Sequence, residues 1–326
     1  MTSPARSFGL TLIVLACIGA APILHAQEKY PSRPIRIIVP FVAGGVGDIL
    51  ARTLSPRLSE NLGQPVIVEN RPGADSVTGT EYAAKAAPDG YTIFQYSTPQ
   101  TINMVLREKP GYDLLRDFAP VARVVSATLV LVTPASSPNR TVADLVADAK
   151  SKPGGLTYGS GGVGSVGHLS GEFLKRAARI SALHVAYKGN AAVLTDLIGG
   201  RLDFFFASPP EAVQGVGAGH LRALAVTATQ RVPTFSDVPT MIESGFPGFD
   251  PSSNYGYIIP VNTPAPIVQQ LHAAIAKAIA SPSAQERLQK LGFTINLGGP
   301  DQLAATLKSE IARWGEVVKA ANIRAE

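Results

Sequence analysis

Two glycine-rich stretches, each placed after a β-branched run and before an amphipathic segment, are the residues of this sequence best suited to hold an anion. The first is PFVAGGVGD at residues 40–48, and the second is GSGGVGSVGH at residues 159–168. Glycine lets the backbone approach a ligand and adopt positive φ, and the amides at a helix start favour negative charge. A tight connection would explain either stretch alone. Two at equivalent positions favour a shared small carboxylate, held without a cationic side chain.

The second stretch also contains a dinucleotide-binding pattern. Residues 159–164, GSGGVG, read G-x-G-x-x-G between a predicted strand and a predicted helix. The confirming acidic residue should lie about 20 residues further, at the end of the next strand. That strand ends in Tyr187 and Lys188, so we expect no nicotinamide cofactor.

Other catalytic chemistry has equally weak support. His168 could form a hydrolase triad with Ser160 or Ser165 and a distant Asp203, but no nucleophile-elbow pattern accompanies them. The five histidines show no metal-ligand spacing, and Cys17 is the single cysteine. We therefore predict a protein that is not an enzyme and that carries no metal and no cofactor.

The N-terminus predicts export. Arg6 precedes an apolar run at 8–18, and Leu24-His25-Ala26 follows before the chain becomes polar at Gln27, although Leu24 is larger than the residue usually found there. The apolar run is shorter than the about 20 residues that a membrane-spanning helix needs. We expect a signal peptide cleaved near Ala26, and the alternative is a lipid anchor at Cys17, because residues 14–17 partly resemble a lipobox.

Composition limits the partners. The chain of 326 residues has 29 basic and 24 acidic residues, a formal net charge of +5. Without Arg6 of the leader, 28 basic residues stand against 24 acidic ones, which gives +4. Such a mild excess suits small anions, and no cluster of basic and aromatic residues indicates a nucleic-acid surface. We expect a monomer with no nucleic-acid partner.

Strands and helices alternate along the chain, which predicts parallel α/β sheets. A long apolar run at 121–132 could pass from one lobe to a second, and a strand at 255–259 could return. The cleft between two such lobes would lie beyond the carboxyl ends of the strands. The predicted strands are 35–39, 66–69, 91–96, 156–158, 183–187, 202–206 and 221–227, and the predicted helices are 48–61, 77–87, 142–151, 166–178, 191–198, 264–280, 283–291 and 300–321.

Ordered motifs covering essentially the whole mature chain carry a family resemblance. They include IRIIVPFVAGGVGDILAR, LGQPVIVENRPGA, AAPDGYT, RDFAPVARV, GSGGVGSVGHL, YKGNAAVLTDLIGGRLDFFF, LRALAVTATQR and DVPTMIESGFPGFD. In this order they resemble the Bug-type, or TctC-like, substrate-binding proteins of tripartite tricarboxylate transporters. The resemblance implies a periplasmic venus-flytrap protein of type II architecture, with two crossing strands between its lobes.

The resemblance also implies a division of the chain and a set of partners. Residues 1–26 would be the signal peptide, 27–125 and 258–326 the first lobe, and 126–257 the second. The closed protein would hold a small carboxylate, such as a di- or tricarboxylate, an aromatic acid or an amino acid. It would then be presented to membrane transporter subunits or, alternatively, to a membrane sensor protein.

Carried over by position, the resemblance implies fifteen ligand contacts. In the first lobe they are Phe41, Ala43, Gly44, Gly45, Asp48 and Ser97, and in the second they are Ser160, Gly161, Gly164, Ser165, His168, Lys188, Gly189, Asn190 and Ser208. The residues themselves leave other roles open, because Asp48 could instead cap its helix and His168 could cap or pack beside the pocket.

Two departures from the family pattern fall where ligand preference could be set. Val46 and Gly47 stand where a hydroxyl residue is common, and ADS at residues 74–76 replaces a more glycine-rich turn. Backbone amides recognise a carboxylate but not the group attached to it. We therefore expect ligand identity to depend on the side chains of Val46, Asp75, Ser97, Lys188 and Asn190.

Overall fold

The computed structural model describes residues 30–249, 251 and 253–323. The predicted leader, the cleavage site at Ala26 and the alternative anchor at Cys17 lie outside these residues. Within them, no helix is long and apolar enough to cross a membrane.

The described residues form eleven strands and ten α-helices. The strands are β1 (Ile35–Val39), β2 (Val66–Asn70), β3 (Thr92–Ser97), β4 (Phe118–Ala127), β5 (Val130–Pro134), β6 (Leu156–Ser160), β7 (Ala182–Ala186), β8 (Phe204–Ala207), β9 (Leu221–Val226), β10 (Ser253–Pro260) and β11 (Phe293–Gly298). The helices are α1 (Val46–Leu62), α2 (Val77–Ala84), α3 (Thr98–Leu106), α4 (Val142–Ser151), α5 (Val166–Ala178), α6 (Asn190–Ile198), α7 (Pro209–Gly217), α8 (Ala265–Ile279), α9 (Pro282–Lys290) and α10 (Pro300–Ala320). Short 3₁₀ turns occupy Ala74–Ser76 and Pro233–Phe235.

Two mixed sheets organise these elements. The first has the order β11-β4-β10-β3-β1-β2 and the second β7-β6-β8-β5-β9. β1 pairs in parallel with β2 and β3, and β6 pairs in parallel with β7 and β8. β4, β5 and β10, the strands next to the crossings, pair antiparallel with their neighbours. The predicted parallel pairing is therefore confirmed only for the strand-helix-strand units.

The parallel strands bring the strand-to-helix turns of each lobe to one edge. In the first sheet, the turns after β1, β2 and β3 lead into α1, the turn at Ala74–Ser76 and α3. In the second, the turns after β6, β7 and β8 lead into α5, α6 and α7. Each turn leaves helix amides at the carboxyl end of a parallel strand, which is where ligands bind in open α/β sheets.

The first core forms where helices cover the first sheet. Leu50, Leu54 and Leu58 share one face of α1 at four-residue spacing and pack with Ile35 and Ile37 of β1, and all five side chains are buried. This spacing places apolar groups on one stripe of a helix. Packing of α1 against β1 fixes the direction in which the turn between them faces.

The chain passes from the first sheet to the second within the apolar run at 121–132, as predicted. β4 ends at Ala127 in the first sheet, and β5 begins at Val130 in the second. The return strand β10 lies in the first sheet from Ser253 onward. α10 contributes Leu307 to a first-lobe core and Trp314 to the second core. The lobe boundaries at 125/126 and 257/258 stay a prediction.

Candidate ligand-binding site

The first-lobe turn leads into a helix start that no side chain caps. Gly45 is the N-cap residue of α1, and within the described part of the chain no side chain hydrogen-bonds to its first turn. The amides of Val46, Gly47 and Asp48 therefore have no partner inside the helix. Gly44 has φ 80°, and nothing lies within 4 Å of its Cβ position. A side chain there would adopt a strained backbone and project into open space.

The side chain of Asp48 holds this turn in place through hydrogen bonds. It is buried and accepts hydrogen bonds from the Gly44 amide (2.9 Å), from Arg52 Nε (2.9 Å) and from Asn70 Nδ2 (2.9 Å). Asn70 Nδ2 also donates to the carbonyl of Phe41 (3.1 Å). Burial alone would raise the pKa of Asp48, but the hydrogen bonds from Arg52, Gly44 and Asn70 lower it below its ordinary value. Asp48 is an anion that fixes the turn, and the amide of Gly44 is used in a hydrogen bond to it.

The second glycine-rich turn is held in a similar way by its own lobe. The Gly164 amide donates to His168 Nδ1 (3.0 Å), and the His168 amide donates to Ser165 Oγ (3.3 Å). Ser160 Oγ donates to the carbonyl of Gly162 (2.9 Å). Gly162 and Gly164 have φ of 147° and 81°, which favours glycine at both positions.

His168 is a neutral structural imidazole here. It stacks on His184 with ring centroids 3.9 Å apart. Burial, followed by the neighbouring His184, lowers the pKa of His168 to about 4. Because Nδ1 accepts from Gly164, the ring fixes the turn, and the triad with Ser160 or Ser165 has no geometric support.

Two further turns complete the second-lobe edge. Gly189 is the N-cap of α6, has φ 111° and receives no side-chain cap within the described residues. Its amide donates to the carbonyl of Gly161 (3.2 Å). Glu211 Oε2 then accepts from Asn190 Nδ2 (3.1 Å) and from the amide of Ser208 (2.8 Å), which joins the starts of α6 and α7.

Glu211 and Gln95 contact the turns of the candidate site, and the sequence interpretation missed both. The spacing Ser208-Pro-Pro-Glu211 is a capping-box signal and could have revealed Glu211. Gln95 is a polar residue in the middle of β3, where every residue is buried, and its Oε1 lies 3.3 Å from the Cβ position of Gly47. Within the described residues, the buried amide of Gln95 has no hydrogen-bond partner. Such a group needs a water or a ligand.

The two edges contact each other. Asp75 Oδ1 of the first lobe lies 3.6 Å from the Cβ position of Gly162 in the second. Leu106 Cδ2 of α3 lies 2.4 Å from the Cβ position of Gly164, so a side chain at Gly164 would collide with it. The strand-to-helix turns of both lobes therefore line one inter-lobe cleft.

The turn at residues 74–76 is strained. Ala74, Asp75 and Ser76 have φ of 45°, 53° and 79°, a left-handed region that non-glycine residues seldom adopt. Such residues cost on the order of 1–3 kcal/mol each and persist only where the surroundings fix them. Asn103 Nδ2 donates to the Asp75 carbonyl (2.6 Å), and Arg107 pairs with its carboxylate (3.3 Å). These contacts hold Asp75 against the second lobe.

The predicted residues lie on the strand-to-helix turns of the two lobes, but many of them have internal partners. Among predicted side chains, Ser208 Oγ is buried without a hydrogen-bond partner in the described residues. The buried hydroxyl of Ser76, which the sequence interpretation did not select, is in the same condition. Six predicted side chains are hydrogen-bonded within their own lobe: Asp48, Ser97, Ser160, Ser165, His168 and Asn190. Their contact with a ligand stays a prediction.

Two surface cavities lie away from the cleft. One of about 530 Å³ is lined by Arg33, Arg36 and Tyr91, and its arginines pair with Asp89 and Glu69. The other, of about 670 Å³, lies between α5 and α10. Neither is lined by a predicted ligand residue. No cluster of metal-ligating side chains occurs in the part of the chain that the structure describes.

Comparison with known proteins decides the family. The family described as "Tripartite tricarboxylate transporter family receptor" matches residues 50–323. The chain belongs to this family. The resemblance read from the sequence motifs is thereby confirmed.

Relatives of this family member share its length and fold. BugT of Bordetella pertussis is 36% identical over 310 residues, covering 94% of each chain. The solved structure of the periplasmic binding protein BugD is 33% identical with a TM-score of 0.82, covering 91% of this chain and all of that one. The two-lobed type II architecture is confirmed.

Two solved relatives contain bound dicarboxylates. Rpa4515 of R. palustris, determined with adipate, is 35% identical with a TM-score of 0.84, covering 90% of this chain and 99% of that one. MatC of Rhodopseudomonas palustris, determined with bound malate, is 31% identical with a TM-score of 0.80, covering 89% of this chain and 100% of that one. This family member therefore has the fold of proteins that bind small carboxylates.

Proposed function

We propose that this protein captures a small carboxylate in the inter-lobe cleft and delivers it to a tripartite tricarboxylate-type transporter. The observation that carries the proposal is the pair of uncapped helix starts at the cleft edges. α1 and α6 both have a glycine N-cap, Gly45 and Gly189, and neither first turn is capped by a side chain in the described residues. Free amides and the helix dipole favour an anion at both positions.

The ligand carboxylate would accept hydrogen bonds from these two helix starts. Val46 and Gly47 supply amides in the first lobe, and Asn190 and Ala191 supply them in the second. Gly44 plays a different part, because its amide is bonded to Asp48. Its lack of a side chain keeps the cleft open above the amides.

The unpartnered buried groups would bind the rest of the ligand. Ser76, Ser208 and Gln95 carry hydroxyl or amide groups without partners in the described structure, and each can donate to or accept from a ligand. Together with the adipate and malate bound by relatives, this polar set favours a dicarboxylate or a hydroxylated acid.

The proposed place of action is the periplasm, and the proposed role is binding without turnover. Family membership and likeness to a periplasmic binding protein support export. The neutral, internally bonded His168 argues against acid-base catalysis in the cleft. The closed protein would present the outer edges of its two lobes, on either side of the cleft, to the membrane subunits.

A thermal-unfolding screen of the mature protein tests the proposal. The panel would contain mono-, di- and tricarboxylates, aromatic acids and acidic amino acids, with nucleotides as the opposing class. A ligand that binds only the folded state adds about 2.7 kcal/mol of stability at a hundredfold excess over its dissociation constant. We expect a carboxylate to raise the melting temperature. A response to nucleotides and to no carboxylate would contradict the proposal.

Two glycine substitutions provide a matched test of the cleft. Gly44 (φ 80°) and Gly63 (φ 69°) are both left-handed, with nothing within 4 Å of their Cβ positions. Gly44→Ala and Gly63→Ala should therefore lose similar stability through backbone strain. Only Gly44→Ala should weaken carboxylate binding, since Gly63 ends α1 away from the cleft. Equal dissociation constants for the two variants would place the ligand elsewhere.

A further inference from the structure

A buried carboxylate lies in the middle of α10, outside the proposed ligand contacts. Glu310 Oε1 accepts from Thr98 Oγ1 (2.8 Å) and Asn254 Nδ2 (2.6 Å), and Oε2 accepts from Thr101 Oγ1 (3.0 Å) and from Tyr96 Oη. Its side chain is only 2% exposed. Burial raises the pKa of Glu310, and hydrogen bonds from Asn254, Tyr96 and Thr98 oppose that shift. Four hydrogen-bonding groups converge on one carboxylate, and Thr101 shares its single hydroxyl proton with the Thr98 carbonyl (2.7 Å).

These donors come from the elements that meet at the crossing between the lobes. Tyr96 is near the end of β3, Thr98 begins α3, and Asn254 lies at the start of the return strand β10. Asn254 Oδ1 accepts from Ser126 Oγ (2.8 Å) at the end of the outgoing strand β4, and the Asn254 amide donates to Thr98 Oγ1 (2.9 Å). Glu310 therefore links both crossing strands to α3.

α3 in turn contacts both halves of the cleft. Ser97, a predicted first-lobe ligand residue, is its N-cap. Ile102 and Leu106 pack with the second core, and Leu106 lies against Gly164 of the second-lobe turn. A displacement of α3 would change the position of Ser97 and the space beside Gly164 together.

Glu310 also lies where α10 changes from one core to the other. Leu303 and Leu307 pack in a first-lobe core, whereas Trp314 and Val318 pack in the second. The carboxylate separates these two apolar stretches of one helix. A polar anchor at this position fixes how the helix is shared between the lobes.

We infer that Glu310 is a positioning residue of the ligand site, which sets the spacing of the two cleft edges through α3 and the crossing strands. Each of the four surrounding groups can donate a hydrogen bond to it, and a carboxylate offers them two acceptor oxygens where an amide offers one. Glutamine would turn its NH₂ group either toward Thr98 and Asn254, where donors would face each other, or toward Thr101 and Tyr96. On the second side the hydroxyls can accept from the NH₂ group, but the proton of the buried Tyr96 hydroxyl loses the acceptor that Glu310 provides. The inference rests on the proposed function, because the positioned groups are those proposed to bind the carboxylate.

The test compares Glu310→Gln with Glu316→Gln. Both remove one carboxylate from α10, but Glu316 is exposed. The probe is the carboxylate that most stabilises the wild-type protein, measured by isothermal titration calorimetry. We expect Glu310→Gln to weaken binding at least about tenfold and Glu316→Gln to change it less than about twofold. Adding Asn254→Asp to Glu310→Gln reverses one donor-acceptor pair and should recover much of the affinity.

A second readout needs no ligand. Spin labels on Lys85→Cys and Leu183→Cys, exposed positions in the two lobes, report the lobe separation by double electron-electron resonance. Glu310→Gln should broaden or shift this distance distribution. If no carboxylate binds even the wild-type protein, the proposed function fails, and this distance measurement still decides the inference about Glu310.

Unchanged binding and an unchanged distance distribution in folded Glu310→Gln would overturn the inference, even if the melting temperature fell. If that variant does not fold, Thr101→Val replaces it. This change removes one donor from Oε2 and leaves Tyr96 in place. It should weaken binding in the same direction by a smaller factor, and no change in either measurement would again overturn the inference.

Discussion

The substitution Asp48→Asn tests whether Asp48 holds the ligand-binding turn in place or only caps its helix. Asp48 is 3% exposed and accepts from the Gly44 amide, Arg52 and Asn70. The substitution keeps one acceptor oxygen and turns an NH₂ group toward a donor. A buried group left without its partner costs about 1–3 kcal/mol. The same loss frees the turn that carries the α1 amides, so we expect carboxylate binding to fall at least about tenfold.

Asp144→Asn is the matched control. Asp144 occupies the third position of α4, as Asp48 does in α1, and accepts from the amides of Arg140 and Thr141 at 3.0 Å each. It is exposed, and α4 follows β5, which is not one of the strands whose turns form the cleft edges. Urea unfolding gives the stability of each variant, and calorimetry gives the dissociation constant. Wild-type affinity in Asp48→Asn, despite the expected destabilisation, would refute the role of this turn in binding.

Three other substitutions or conditions test single parts of the site. Gly161→Val should abolish binding in a folded protein, because the Cβ position lies 2.4 Å from Asn190 Oδ1; retained affinity, measured by calorimetry, would contradict this. Ser208→Ala removes a buried hydroxyl that has no short hydrogen bond in the described residues but stands at the capping position of α7, so urea unfolding should show a loss of no more than the about 0.5–2 kcal/mol of a helix cap while affinity falls; normal affinity would contradict it. Burial lowers the pKa of His168 and His184 from 6.5 to about 4, so the unfolded state binds more protons between these values. The free energy of unfolding should therefore fall as the pH drops from 6.5 toward 4, and a flat profile in urea titrations would contradict neutral burial.

Helix caps, apolar spacing and glycine-rich turns in the sequence predicted the elements that these local features determine. α4 and α5 have the predicted bounds, since Thr141 and Ser165 cap their starts and apolar residues recur at helical spacing. Both glycine-rich turns follow β1 and β6 as expected. The cleft was predictable because parallel strands place such turns at one edge.

Three elements were missed because tertiary contacts determine them. α3 contains β-branched and amide residues that favour other structures in isolation, and its Thr98 and Thr101 are held by Glu310, more than 200 positions away along the chain. α7 begins with two prolines and ends in glycine, and β11 is an edge strand paired only with β4. α7 carries the capping-box spacing of Ser208 and Glu211, but its prolines and glycines also favour a turn, and no local pattern separates α3 or β11 from a loop.

The hydrogen bonds inside the turns could not be predicted from the sequence either. The glycine pattern predicted backbone amides near an anion. It did not predict that the Gly44 amide donates to Asp48 or that the Gly164 amide donates to His168. Both assignments depend on how each turn folds back on its own helix. They move the proposed carboxylate contacts from the glycines themselves to the helix starts beside them.

An amide-resolved NMR titration tests the central claim most directly. The ¹⁵N-labelled mature protein would be titrated with the carboxylate selected by the thermal screen. We predict that the largest amide shifts occur at the uncapped starts of α1 and α6, at Val46, Gly47, Asn190 and Ala191. Saturating binding that leaves these four amides unshifted, with the changes confined to another surface, would contradict the account.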